Sequence, residues 1–305
     1  MTTLAEHLDR YLAVRRALGY RLEGHSRVLA SFVDDLEANG QSSVTVQSAL
    51  AFASAAATDR RAAAQLSMVR RFAVYLSAFD ASTEIPPVNL GPGDGGRSRP
   101  YVYSPKEVSA LLGAANALRP ERWAASVTTL IGLMAATGIR SGEAYRLDRD
   151  QVDLDTGLLA VMHSKFGKSR QLPLHPTTVA ALRRYAALRD RSVEPTQPAF
   201  FVTASGTRIT PATAGRTFRR LLAATSIAAP PGRRAPRLYD LRHRFAVVTL
   251  LDWHRDGVDV QRQLPALSAY LGHLSPANTY WYLEAVPELM AVVAERLARC
   301  WEGQP

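Results

Sequence analysis

The chain has 305 residues, 47% hydrophobic and 21% charged, with 37 lysines and arginines against 27 acids and a formal net charge of +10. Its length predicts two domains, no apolar run approaches the ~20 residues of a membrane helix, and the lone cysteine, Cys300, excludes an internal disulfide and a cysteine-based zinc cluster. Residues 1–90 hold nine arginines and nine acids, so the whole positive excess falls in 91–305, where 28 bases face 18 acids; this one-sided balance points to a polyanion, most often nucleic acid.

The opening MTTLAEHLDRYL carries acids in an amphipathic pattern and reads as neither a signal nor a transit sequence, which predicts a cytoplasmic protein. In LAEHLDRYLAVRRALG, Leu4, Leu8, Tyr11, Leu12 and Leu18 form the apolar face of a helix that Gly19 stops. A second helix is predicted over about 26–38, ending at Asn39-Gly40, and a third over about 45–57. A fourth starts near Thr58 and carries Ala62, Leu66, Val69, Ala73 and Leu76 on one stripe, with Arg60, Arg61, Arg70 and Arg71 mostly off it. Together they predict a small helical bundle. The stretch IPPVNLGPGDGGRSRP, residues 85–100, reads as a linker. The predicted organisation is a domain over 1–85, a linker over 86–100 and a second domain over 101–305.

The second part opens on SPKEV, a capping box with Ser104 as cap and Glu107 three residues later. Helices are predicted over about 105–117 and 121–137, the second stopped by Gly138, with a short one over about 141–147. Three strands follow, near 151–154, 158–163 and 170–174, joined by the Asp155-Thr156-Gly157 turn and by KFGKS. Further helices are predicted near 176–190, 210–224, 239–253, 265–271 and 286–300, and AFFVT, residues 199–203, reads as another strand. WHRDGVDVQRQLP, residues 253–265, reads as a surface loop or short helix extension, and PELMAVVAERLARCWEG as an amphipathic helix. The predicted fold is mainly α with a small antiparallel β-sheet: an N-terminal helical bundle plus an α+β domain.

Four segments of the second part carry the candidate chemistry: ATGIRSGEAYRL with Arg140 and Glu143, HSKFGKSRQLPL with Lys165 and Lys168, PRLYDLRHRFAV with Tyr239, Arg242 and His243, and LGHLSPANTYWYL with His273 and Tyr282. Lysine is rare here: the chain has only Lys106, Lys165 and Lys168. Each segment alone has an ordinary structural reading. In this order and spacing they resemble the tyrosine recombinase/integrase family, phage integrase-like, over about residues 101–300, and the bundle is similar to that family's core-binding, DNA-binding domain.

The resemblance implies site-specific recombination without metal or cofactor. A tyrosine attacks a DNA phosphate, forms a 3′-phosphotyrosine and releases a 5′ hydroxyl. It implies Tyr282 as nucleophile, nine residues after His273, rather than Tyr280, with Tyr270 packing. Arg140 and Arg242 would meet the phosphoryl charge with bidentate hydrogen bonds, and His273 would hydrogen-bond the phosphate. The leaving oxygen needs a proton that arginine cannot release near neutrality and lysine can; Lys165 takes that role, with Lys168 on the DNA backbone. Glu143 supports Arg140. The family's usual histidine three residues before the second arginine is Tyr239 here, a poor base near pH 7, which leaves either weaker activation of Tyr282 or help from His243.

Arg216, Arg219 and Arg220 on one predicted helix, and Arg233, Arg234 and Arg237 before Tyr239, are the expected DNA contacts, making binding salt-dependent. The resemblance further implies double-stranded DNA gripped by both domains, a tetramer on DNA that is a monomer when free, accessory or sister recombinases, a C-terminal helix docking in cis or in trans, and a mobile element in a bacterial cytoplasm, associated with the nucleoid. Two other readings share these residues: relaxation of the type IB topoisomerase kind, and a catalytically weak DNA-binding relative, to which Tyr239 lends the support. The motifs HExxH, GxxxxGK[ST] and GxSxG are absent from the sequence.

Overall fold

The computed structural model describes residues 2–20, 22–88, 90, 100–162, 169–231, 233–273, 275 and 277–285. The chain divides into two compact units, Met1–Ser98 and Arg99–Pro305. The first contains α1 (Leu4–Ala17), α2 (Glu23–Ala38), α3 (Val46–Ser54) and α4 (Asp59–Leu76). Thr3, Thr45 and Thr58 cap α1, α3 and α4, each hydroxyl accepting from a first-turn backbone N–H; a cap of this kind is worth about 1 kcal/mol. The apolar faces close on a core that includes Leu8, Leu12, Phe32, Leu36, Val69 and Phe72. Leu18, expected on the buried stripe, is 65% exposed: it follows the last helical residue, and the stripe ends where the 3.6-residue repeat ends. The second helix begins three residues earlier than predicted, and the third stops at Ser54.

In the second unit, α5 (Pro105–Asn116), α6 (Glu121–Thr137) and α7 (Ser141–Arg146) precede a sheet of β1 (Val152–Asp153), β2 (Leu158–Val161) and β3 (Arg170–Pro173). The Ser104 capping box forms, with Glu107 Oε2 accepting from the Ser104 N–H at 2.7 Å and Ser104 Oγ accepting from the Glu107 N–H at 3.2 Å. The sheet is antiparallel in the order β1-β2-β3, and Leu159 pairs with both Val152 and Leu172. Alternation sends Val152, Leu159, Val161 and Leu172 into the core. The chain continues through α8 (Pro176–Ser192), α9 (Pro211–Ala224), α10 (Asp240–Arg255), α11 (Val260–Leu271) and α12 (Ala277–Ala285). The mainly helical class with one small antiparallel sheet is therefore the observed one. No helix among the described residues is long and apolar enough to cross a membrane.

Three local expectations change. The segment 199–203 is not a strand; it makes only isolated bridges, Asp148 to Ala199 and Val202 to Arg208. Phe200 and Phe201 are both fully buried around Tyr185, so consecutive side chains fill core rather than alternating across a sheet. Of the segment 253–265, only the first residues are the short helix extension, with α10 running to Arg255; its second half is the start of a further helix, α11, at Val260. Asp259 caps α11 through the Arg262 N–H at 3.2 Å, and Val260, Leu264, Leu267 and Leu271 pack with Ala246, Leu250 and Tyr282. The helix α12, which carries Tyr282, was not among the predicted helices. Most of the predicted linker 86–100 and all of the predicted helix over 286–300 lie outside the described residues.

Candidate active site

Two helix ends build the site. The first is the end of α6, where Gly138 has φ +60° and a Cβ would stand 2.6 Å from Phe245 Cδ1, so only glycine makes this left-handed turn without displacing a ring. The second is the end of α11, where Gly272 has φ +68° and a Cβ would come within 3.0 Å of Arg170 Nη1 and 3.1 Å of Arg140 Nη1. Carbonyls at helix C-termini lack helical partners, and here they receive guanidiniums. Arg242 donates from Nη1 to Gly138 O at 2.8 Å and from Nη2 to Leu271 O at 2.6 Å. Arg140 donates from Nη2 to Gly272 O. One arginine thus bridges both turns, and the other crosses from just beyond the first to the second.

Glu143 sits in the first turn of α7 and is only 5% exposed. Its carboxylate accepts from the Arg140 backbone N–H at 3.1 Å and from Arg140 Nη1 at 2.7 Å. The same carboxylate accepts from Arg170 Nη1 at 3.0 Å and Nη2 at 2.8 Å, while Arg170 Nε donates to Tyr270 O at 2.8 Å. Arg170, at the start of β3, was missed in the sequence because the lysines of the same stretch drew the argument. A signal existed: a carboxylate has about four acceptor positions, more than one arginine fills.

Arg242 has no exposed surface, and its pKa is pushed down to about 10, first by burial and then by the positive charge of Arg140. It remains charged at neutral pH. Among the described residues no carboxylate lies within ion-pair distance of it, and its Nε has no hydrogen-bond partner. A buried cation held by carbonyls alone is costly to fold around.

Tyr282 is 1% exposed. Its hydroxyl lies 2.9 Å from His243 Nδ1, and its ring lies nearly parallel to that of His273 at a centroid distance of 6.3 Å. His273 Nδ1 is 2.8 Å from Thr279 Oγ1, a buried hydroxyl that fixes the ring from within α12; this partner was also missed. Tyr280 is 44% exposed, on another side of α12. Tyr270 stacks on Phe245 at 5.7 Å. Tyr239 precedes α10, and its ring meets that of His243 edge-on at 5.1 Å.

The structure therefore brings Arg140, Glu143, Arg242, His243, His273 and Tyr282 into one network, with Tyr239 at its border. Lys165 and Lys168 lie outside the described residues. Arg216, Arg219 and Arg220 are exposed on α9, and Arg233 is exposed before α10. Arg234 and Arg237 are not simply solvated cations: both reach the buried carboxylate of Asp240, at 3.7 and 2.9 Å. Among the described residues there is no group of three or more His, Cys, Asp or Glu side chains that could hold a metal ion.

Residues 102–288 match the model of the phage integrase family. The chain belongs to the phage integrase family of tyrosine recombinases. It is 38% identical to a protein of Sinorhizobium fredii named as an integrase/recombinase, y4rB, over the full length of both. It is 28% identical over 239 residues to the tyrosine recombinase XerC of Azotobacter vinelandii, covering 78% of this chain and 74% of that one. The fold is similar to that of the Tn1549 transposon integrase solved with transposon right-end DNA, with a TM-score of 0.70 at 15% identity over 97% of this chain and 99% of that chain. It is also similar to a lambda integrase dimer bound to a core site, with a TM-score of 0.63 at 18% identity over 90% and 96% of the two chains. For this integrase-family chain, the glycines of T-G-I-R and L-G-H have a physical reason: they turn two helix ends so that their carbonyls face the two arginines.

Proposed function

We propose that this chain is a site-specific DNA recombinase that cuts and rejoins strands through a covalent bond between Tyr282 and a 3′ phosphate. The reading is supported by one observation above others: Arg140, Arg242, His273 and Tyr282, spread over more than a hundred residues, converge on the ends of α6 and α11. Two guanidiniums answer the charge that develops on the phosphoryl oxygens, a contribution worth about 3–4 kcal/mol per donor in comparable sites. His273 donates to the phosphate, Glu143 orients Arg140, and Tyr239 lends a hydroxyl at the border. Lys165 protonates the leaving 5′ oxygen, and Lys168 contacts the backbone. The first unit acts as the core-binding domain, and Arg216, Arg219, Arg220 and Arg233 supply phosphate contacts.

With Tyr282 only 1% exposed, a phosphate reaches the phenol once DNA binding has shifted α12 or its cover, so cleavage is gated by a conformational step. Exchange between two duplexes needs four strand cuts, which makes a tetramer on DNA the working assembly. The likeness to y4rB and to a transposon integrase supports a mobile element in a bacterium as the setting.

The test is trapping on nicked suicide duplexes carrying a site selected from a random pool by this protein's own binding. Wild-type protein yields a covalent adduct on a denaturing gel, and Tyr282→Phe yields none. Lys165→Ala cleaves slowly and recovers when the bridging 5′ oxygen is replaced by sulfur, a leaving group that needs no acid. An adduct that survives in Tyr282→Phe overturns the assignment of the nucleophile. Lack of sulfur rescue removes Lys165 from the acid role.

A further inference from the structure

We infer that His243, one residue beyond Arg242, is the general base that takes the proton of Tyr282, with the buried carboxylate of Asp240 stabilising the imidazolium that results. This rests on the recombinase reading and deepens it by assigning the step that activates the nucleophile.

The geometry has three parts. His243 Nδ1 lies 2.9 Å from Tyr282 Oη, within the range in which a base can take a proton directly. His243 is 6% exposed and Tyr282 1%, so bulk water does not compete for that proton in this arrangement. On its other side, His243 Nε2 is 3.9 Å from Asp240 Oδ1, one turn back on α10. That distance is too long for a hydrogen bond, but the carboxylate is itself 1% exposed, and a charge this close in a poorly screened interior favours a proton on Nε2. With Nε2 protonated, Nδ1 is the acceptor nitrogen, which is the tautomer that a base facing Tyr282 needs.

The neighbours fit the same assignment. Just before α10, Tyr239 packs edge-on against the imidazole at 5.1 Å and presents a phenol, which cannot act as a base near neutrality. From α12, Trp281 covers the imidazole at 5.7 Å. His273 faces the Tyr282 ring and is tied to Thr279 through Nδ1. Arg237 and Arg234 both approach Asp240. They temper its charge and anchor it, so that its pull on His243 is moderate and fixed in direction. Tyr239, at the N-cap of α10, and His243, in its first turn, are four residues apart and their rings meet; the imidazole that the family pattern places at 239 is supplied here from the next turn.

In the cleavage step the Tyr282 Oη–H proton passes to His243 Nδ1 as Oη bonds to phosphorus. The bond from phosphorus to the 5′ oxygen breaks, and that oxygen takes its proton from the general acid proposed above. In rejoining, the 5′ hydroxyl attacks phosphorus and gives its proton back to the amine of that same general acid, the bond from phosphorus to Tyr282 Oη breaks, and His243 returns its proton to the departing phenolate.

The experiment measures single-turnover cleavage of the selected suicide duplex with sulfur at the bridging 5′ position, which removes leaving-group protonation from the rate. Wild-type protein, His243→Gln and His243→Ala are compared from about pH 5.5 to 8, the range in which an imidazole titrates. The wild-type rate is expected to rise with pH as one proton is lost. His243→Gln should be slower by about a hundredfold, the lower end for a lost general base, with that rise gone, and added imidazole should restore part of the rate to His243→Ala. A flat wild-type profile, wild-type kinetics in His243→Gln, or faster cleavage in His243→Gln, the mark of a latch that only hides Tyr282, each overturns the inference. The wild-type profile decides the matter even if both variants fail to fold. No adduct from wild-type protein overturns the recombinase reading and this inference with it, whereas a wild-type adduct with an unaffected His243→Gln overturns this inference alone.

Discussion

Arg189 on α8 and Arg242 on α10 are both shut away from solvent, at 4% and 0% exposure, yet among the described residues only the first has a carboxylate within ion-pair distance. Arg189 donates from Nε and Nη2 to Ala199 O at 3.1 and 2.9 Å, also reaches Gln197 O, and pairs with Asp190 at 2.8 Å. Arg242 also reaches two carbonyls, but among the described residues it has no carboxylate, and burial and Arg140 together depress its pKa. A satisfied buried arginine is a staple between a helix and the loop that crosses it. An unsatisfied one is a cost to stability kept for something that arrives later, and an anion is what its surroundings lack.

The largest expected effect tests that contrast. Arg242→Met should lower strand cleavage by at least about a hundredfold while costing less stability than Arg189→Met, because removal of a buried charge without an ion-pair partner among the described residues offsets the loss of its two carbonyl contacts. Arg189→Met should do the reverse, keeping the site intact but costing about 3 kcal/mol as carbonyls lose their donors, a fall of roughly 6–12 °C in melting temperature. Cleavage assays beside thermal melts check both, and a large stability loss in Arg242→Met would sink the comparison. A smaller effect separates the site turn from an ordinary one. Gly272 and Gly206 both have positive φ, at +68° and +82°, but only Gly272 has guanidiniums within about a Cβ's reach. Gly206→Ala should cost about 1–2 kcal/mol of backbone strain alone. Gly272→Ala should add a drop in cleavage, since Arg140 and Arg170 must move.

The smallest effect is on alkaline stability. Burial raises the pKa of Tyr103, Tyr145, Tyr185 and Tyr270, and burial with the Glu107 carboxylate raises Tyr101 to about 12. Above pH 10 the unfolded chain loses these phenol protons first, so stability falls as pH rises. Arg242 works in the opposite direction between its folded value of about 10 and the ordinary arginine range, because there the unfolded chain binds the extra proton. Burial lowers Arg244 as well, and five tyrosines against these two arginines predict a net loss above about pH 10, measurable as a falling midpoint in urea titrations. A rising midpoint would mean that the arginines dominate.

Much of the fold was legible because local rules and tertiary packing agreed. Thr58 and Ser104 announced helix starts, Gly138 announced a stop, and Asp155-Thr156-Gly157 announced a hairpin. The misreadings came where they disagreed. The run AFFVT has strand composition but serves a core with no partner strand. GVDVQRQLPAL carried the cap and stripe of α11, but the interior Pro265 made its start look like loop. At the site, Arg140, Arg242, His273 and Tyr282 were readable as a set because glycines and fixed spacings mark them. Arg170, Thr279 and Asp240 were not, because each matters through a partner far away in the chain or through burial, and neither leaves a local pattern.

Residue order by itself determined where most of the helices lie, which residues could carry charge or a nucleophilic oxygen, and that a helical bundle precedes a mixed domain, since these follow from backbone propensity and side-chain chemistry over a few neighbours. Only the tertiary structure decided that Glu143 serves two arginines, that Arg242 lies buried with no carboxylate within ion-pair distance among the described residues, and that His243 rather than Tyr239 meets the Tyr282 hydroxyl. Those are properties of distance and dielectric between segments, and they come into being when α6, α10, α11 and α12 pack together.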